Sequence, residues 1–167
     1  MGYGKTTAVK EFLLDRGGPV LWLSFLSAED TAALFWDRLV EEISHLDEAA
    51  GGRLKSLGFP SDAPQMANIL SLLEEIDYDE NTVLVIDDFH LASNPQIGMF
   101  LVQTIKEEPG IFPIVIITRD TTNIDFTELF AKGLCNIISS QILRFNDEEI
   151  RDYCASLGHI PIESDLK

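Results

Sequence analysis

The sequence predicts an α/β fold, a mostly parallel sheet sandwiched between two layers of helices, and three observations predict it. Short apolar runs rich in branched and aromatic residues alternate with longer stretches of helical period, the order that βαβ units produce. The runs at 19–25, 82–87 and 112–118 are apolar at consecutive positions instead of alternate ones, as strands covered on both faces are. Finally, Gly4-Lys5-Thr6-Thr7 leads directly into a helical pattern, as the last part of a phosphate-binding loop does.

Residues 6–16 read as the first helix, with Val9, Phe12, Leu13 and Leu14 expected on its buried face and Gly17-Gly18-Pro19 as its stop. Residues 19–25 form the first strand. A second helix is expected to begin near Ser27-Ala28-Glu29-Asp30 and reach about His45, burying Ala33, Leu34, Trp36, Leu39, Val40 and Ile43. Gly51, Gly52, Gly58 and Pro60 interrupt any pattern over 47–62, which leaves room for a short helix at 53–57. Met66, Ile69, Leu70, Leu72 and Leu73 mark a helix over 63–76, and the acidic turn of Asp77, Asp79, Glu80 and Asn81 leads into strand 82–87.

Asn94-Pro95 opens a helix that carries Ile97, Phe100, Leu101 and Ile105 and stops near Pro109-Gly110. Strand 112–118, a helix over 126–131, a short strand over 141–145 and a helix over about 146–157 complete the alternation. Trp22 and Trp36 are expected in the core, because large aromatics dominate core area.

With 167 residues and 46% hydrophobic content, the chain has the size and composition of one domain with a real core. Its 12 basic and 28 acidic residues leave a net charge of −16. So acidic a surface repels nucleic acid and anionic lipid, and direct contact with either is not expected. Cys135 and Cys154 lie far apart without metal or redox spacing and read as idle thiols of a reducing compartment. No basic-then-apolar leader is visible and no apolar run is long enough to span a bilayer, so a cytoplasmic location is expected.

The residues that carry chemistry lie at three places. Gly2, Gly4, Lys5, Thr6 and Thr7 are the candidate phosphate binders. Backbone N–H groups would cradle phosphate oxygens, Lys5 would reach the β- and γ-phosphates, and the Thr6 hydroxyl would sit on Mg²⁺. A plain helix start capped by threonine is the alternative reading of the same residues. The first glycine of the full pattern would fall upstream of Met1, so the loop and the strand that feeds it are expected to be incomplete.

The second place is the apolar strand that ends in Asp87-Asp88. In a parallel sheet it delivers both carboxylates to the crevice at the strand ends, Asp87 to hold Mg²⁺ and Asp88 to polarise an attacking water. A strand-ending acidic turn is the alternative. The third is Arg119, which follows an apolar strand and can face a γ-phosphate; pairing with Asp120 or Asp88 is the other arrangement open to it. His90 reads as a packing and hydrogen-bonding residue.

Taken together, G-Y-G-K-T-T, Leu21-Trp22-Leu23-Ser24, Phe35-Trp36-Asp37-Arg38-Leu39, V-L-V-I-D-D-F-H-L, I-V-I-I-T-R-D and Leu143-Arg144-Phe145-Asn146-Asp147-Glu148-Glu149 keep one order. The whole run resembles the nucleotide-binding (NB-ARC/AAA-like) domain of signal-transduction ATPases of the MalT-like type, found in large bacterial LuxR-family transcriptional regulators.

That resemblance implies a P-loop NTPase fold that lacks its first strand, over a single domain 1–167 in which 146–167 begins the following helical region. It also implies ATP or ADP with Mg²⁺ as cofactors, slow hydrolysis, and nucleotide-dependent self-association, with DNA contacted by a separate C-terminal domain. By position, Lys5 and Thr6 match the loop lysine and magnesium hydroxyl, Asp87 and Asp88 the paired acids, and Arg119 the sensor arginine. The missing front of the loop predicts weak or absent nucleotide binding, weak or no hydrolysis by this chain, and an exposed apolar slot that invites self-association or aggregation. A module that keeps the fold, binds no nucleotide and serves protein interaction is the competing expectation. The acidic surface disfavours a nucleic-acid motor, and no acceptor-substrate constellation points to a small-molecule kinase.

Overall fold

The computed structural model describes residues 4–27, 30–108, 110–143 and 146–156. Along the chain run α1 (Lys5–Arg16), β1 (Val20–Ser24), α2 (Ala32–Leu46), α3 (Glu48–Leu57), α4 (Ala63–Glu74), β2 (Val83–Asp87), a single 3₁₀ turn (Phe89–Leu91), α5 (Pro95–Glu107), β3 (Ile114–Ile116), α6 (Thr127–Ala131) and α7 (Asp147–Ser156). The chain divides into two units, one of Thr6–Asn136 and one of Met1–Lys5 with Ile137–Lys167.

In the larger unit the strands lie in the order β1-β2-β3, every pair parallel. Ser24 registers with Asp87, and Ile86 with Ile116, so the carboxyl ends of the strands share one edge of the sheet. β2, the central strand, is buried at all five positions, which its unbroken V-L-V-I run requires. Its side chains alternate between two cores. Leu84 and Ile86 join Leu21, Leu23 and the apolar stripes of α2, α4 and α5; Val83 and Val85 join Leu13 of α1, Ile117 and the half-buried Val9 and Trp22. Helices therefore cover both faces of a parallel sheet, the α/β architecture expected.

Several element-level expectations need correction. α1 buries Leu13 and half-buries Val9, but Phe12 is 59% exposed and Leu14 76%. The physical reason is rotation. Val9 and Leu13 stack one turn apart on the sheet, while Phe12 and Leu14 stand about 100° to either side of Leu13. α2 starts later than expected, because Thr31 is its cap and accepts from the Leu34 N–H at 3.2 Å. Ala32 and Phe35, instead of Ala33 and Leu34, lie on the buried stripe, because they stand one turn before Trp36 and Leu39 on the same face.

α3 begins five residues before the expected short helix, since the Asp47 carboxylate caps it from the Ala50 N–H at 2.9 Å. Trp36 is buried and donates to the Leu54 carbonyl, but Trp22 is only half-buried, with its indole N–H on Ser24 Oγ. Regular strand within 112–118 spans only Ile114–Ile116, with single backbone bonds joining Pro113 and Ile117, on either side, to the β2 segment.

In the smaller unit, residues 141–143 form a turn closed by the Ile142 N–H on the Ser139 carbonyl at 3.1 Å, so no strand starts there. The backbone groups a ladder would need are turned back on themselves; residues 144 and 145 lie outside the described ones. α7 opens on a reciprocal cap, Asn146 accepting from the Glu148 and Glu149 N–H groups and Glu149 accepting from the Asn146 N–H. Among the described residues no helix is long and apolar enough to cross a membrane.

Candidate functional site

The site is built where β2 ends. Asp87 is the last residue of the strand and only 7% exposed, so its carboxylate needs partners. It finds them on both sides: the Thr6 hydroxyl donates to its two oxygens at 3.2 and 3.3 Å, and the Asp88 N–H donates to Oδ1 at 2.8 Å. The Asp87 carbonyl accepts from Phe25 at 3.1 Å, continuing the β1 pairing past Ser24. Residues 81 positions apart are thus joined, and the first turn of α1 is set against the carboxyl end of the central strand.

Asp88 leaves the strand in the left-handed region, with φ 52° and ψ 36°. Among the described residues it is the one non-glycine with positive φ. Asp tolerates this conformation better than most residues, yet it still costs free energy, and such positions concentrate at functional sites. The turn it makes feeds the 3₁₀ segment, whose bonds run from the Leu91 N–H to the Asp88 carbonyl and from the Ala92 N–H to the Phe89 carbonyl. The Phe89 N–H in turn donates to the Ile117 carbonyl at 3.0 Å, tying this loop to the end of β3.

Beyond β3 the chain turns on Asp120. Its carboxylate accepts from the Thr122 hydroxyl and N–H, and the Thr118 hydroxyl donates to its carbonyl. Those Thr122 bonds, the hydroxyl first, hold the Asp120 carboxyl below the usual carboxylate range, with a smaller contribution from His90. Arg119 sits on this turn, exposed, and among the described residues it pairs with no carboxylate, so neither Asp120 nor Asp88 neutralises it. Its guanidinium is free for an anion.

The remaining predicted residues fall as follows. Lys5 is the first residue of α1, Thr7 is exposed in its first turn, and Gly4 precedes it with φ 68°. Gly2 lies outside the described residues. The structure brings Thr6, Asp87 and Asp88 together. His90, expected as a packing and hydrogen-bonding residue, has its ring 14% exposed, with Nδ1 standing 3.8 Å from Asp88 Oδ1 and without a hydrogen-bond partner.

Chemically, a hydroxyl and a carboxylate in contact form a two-oxygen edge. Their separations of 3.2 and 3.3 Å are close to the roughly 3.0 Å between adjacent ligands of an octahedral ion bound at about 2.1 Å. Both are oxygen donors of the kind Mg²⁺ takes, an ion that keeps several waters and uses one or two protein carboxylates; among the described residues no group of three or more His, Cys, Asp or Glu is placed to hold a metal ion. No protein-family model matches the chain.

Proposed function

We propose that this chain carries a Mg-nucleotide-binding switch core of the signal-transduction ATPase type, similar to MalT-like regulators. The observation that supports it is the contact between Thr6 and Asp87. A threonine at the start of a helix that follows Gly-Lys, hydrogen-bonded to the acid ending the central strand, is the pair that a magnesium–phosphate site needs. Bound Mg²⁺ would supply charge neutralisation for the nucleotide phosphates. Thr6 and Asp87 would hold that ion, the α1 N-terminus and Lys5 would bind phosphate, Asp88 would orient water, and Arg119 would meet the terminal phosphate.

The nucleotide is expected to be ATP in an active, self-associating form and ADP in a resting one. Calorimetric titration of the chain with Mg-ATP tests this. Binding that weakens at least about tenfold in Thr6→Val and in Asp87→Asn, and on chelation of Mg²⁺, is the expected result; a side chain that holds a metal–phosphate unit contributes on that scale. A folded chain with no binding up to millimolar Mg-ATP transfers the assignment to a nucleotide-free interaction module. Exposed Phe12, Leu14 and Leu26 favour that second reading, as apolar side chains available to a protein partner.

A further inference from the structure

His90 is the residue near the site whose chemistry is unexplained. Its ring is mostly enclosed, and Nδ1 is shielded from solvent with no partner in hydrogen-bonding range. Buried polar atoms are nearly always paired, so an orphan beside this loop points to a bond with a neighbouring side chain that can rotate to meet it. The carboxylate within reach is that of Asp88, with Oδ1 at 3.8 Å, a few tenths of an ångström beyond a hydrogen bond.

The backbone of both residues is already fixed. The Asp88 carbonyl accepts from Leu91, the His90 carbonyl accepts from Asn123 Nδ2 at 3.2 Å, and Phe89 between them is anchored to Ile117. Asp88 is half exposed, so its side chain has room to rotate towards Nδ1 without moving the loop. His90 also acts electrostatically on Asp120, on the loop that follows β3.

We propose that His90 is a positioning residue, its Nδ1–H donating to Asp88 Oδ1 and fixing that carboxylate in the orientation the site uses. The inference rests on the nucleotide reading for what Asp88 does, but not for the contact itself. A bond to Asp88 selects the tautomer with the proton on Nδ1, whereas a neutral histidine side chain in water favours Nε2–H.

Long-range ¹H–¹⁵N correlation spectra of the whole chain at about pH 8, where an ordinary imidazole is neutral, read the tautomer directly, with His90→Asn assigning the signal. The expected result is Nδ1–H in the wild type, reverting to Nε2–H in Asp88→Gly, a variant that suits the left-handed backbone and removes the carboxylate. Nε2–H in the wild type, or an Nδ1–H indifferent to Asp88→Gly, overturns the proposal. If the wild type binds no Mg-ATP, the nucleotide reading falls while this spectrum still decides the contact.

Where hydrolysis is measured, His90→Leu should lower kcat by about 10- to 100-fold, the usual loss when an orienting partner is removed, with KM unchanged. His90→Asn, which still presents an N–H near the Nδ1 position, should restore part of it. A rise in KM at unchanged kcat contradicts positioning.

Discussion

Asp30 is buried at 6% exposure and survives there because it is fully bonded. Its carboxylate accepts from Arg38 Nη1 at 2.8 Å, from Nη2 at 3.3 Å and from the Leu26 N–H at 3.0 Å, while the same Nη1 also donates to the Ser24 carbonyl. One arginine on α2 thereby holds the segment leaving β1, at the strand edge that also carries Asp87. The Arg38 bond, ahead of the Leu26 N–H, keeps the Asp30 carboxyl below its ordinary range against the opposing effect of burial. Because the folded value is the lower one, the pair's stabilisation is complete above the ordinary carboxylate range and is lost as pH falls through it. Arg38→Met is expected to cost about 2–3 kcal/mol at neutral pH, somewhat below the loss from a fully enclosed pair because the guanidinium is partly exposed. Urea unfolding at pH 7 and at about pH 3.5 checks both parts. A difference between wild type and variant that stays constant over that interval contradicts the linkage.

At the scale of elements, Gly51 and Gly52 are neighbours in α3 with opposite demands. A Cβ on Gly51 would lie 2.8 Å from Ser44 Cβ and 2.9 Å from Ser44 Cα, so α2 and α3 approach each other through this glycine; a Cβ on Gly52 would meet nothing. Helix propensity alone favours alanine at both by about 1 kcal/mol. We expect Gly52→Ala to stabilise by about 0.5–1 kcal/mol and Gly51→Ala to destabilise by about 1–3 kcal/mol, since backbone must yield to make room. Thermal unfolding of the two variants decides it, and equal signs would show that the helices can part at no cost. These glycines also explain why α3 was hidden in the sequence: read as interruptions, they are a packing device that only the neighbouring helix makes intelligible. α4 and α5 were legible because their stripes have a single period, and β2 because no other element tolerates that much unbroken apolar sequence. Phe12 and Leu14 misled because four apolar residues in six positions do not say which rotation of the helix the sheet accepts. The candidate site was legible in its acids and its threonine, which sit where strand and helix ends must lie. The left-handed turn at Asp88 and the approach of His90 were not, since both depend on the 3₁₀ turn that folds back between them.

Across the whole molecule, a net charge of −16 on 167 residues makes self-repulsion a term comparable to single contacts. One site shows it locally. Glu108 has its carboxyl raised above the usual range, first by a hydrogen bond shared with Glu74 and then by burial and by the charges of Glu74 and Glu107. A raised carboxyl contributes stability that is present at lower pH and lost as pH rises through its folded value, the reverse of Asp30. Between the two lies a window in which Glu108 begins to protonate while the Asp30–Arg38 pair is still charged. At low salt the melting temperature is therefore expected to peak on the acid side of neutrality, near about pH 5–6. Raising the salt from about 0.01 M to about 0.3 M shortens the screening length from roughly 30 Å to below 10 Å. That change should lift the melting temperature at pH 7–8 by several degrees, on the order of 1 kcal/mol, and flatten the acid-side maximum. Arg38→Met, which removes one more positive charge, should respond to salt at least as strongly. A melting temperature that falls with salt at pH 7–8 would mean that favourable ion pairs, such as Arg53–Glu75 and the Glu128 pairs with Lys106 and Lys132, outweigh the repulsion. Exposed pairs of that kind contribute about 0–1 kcal/mol each, and against sixteen uncompensated charges the repulsive term prevails.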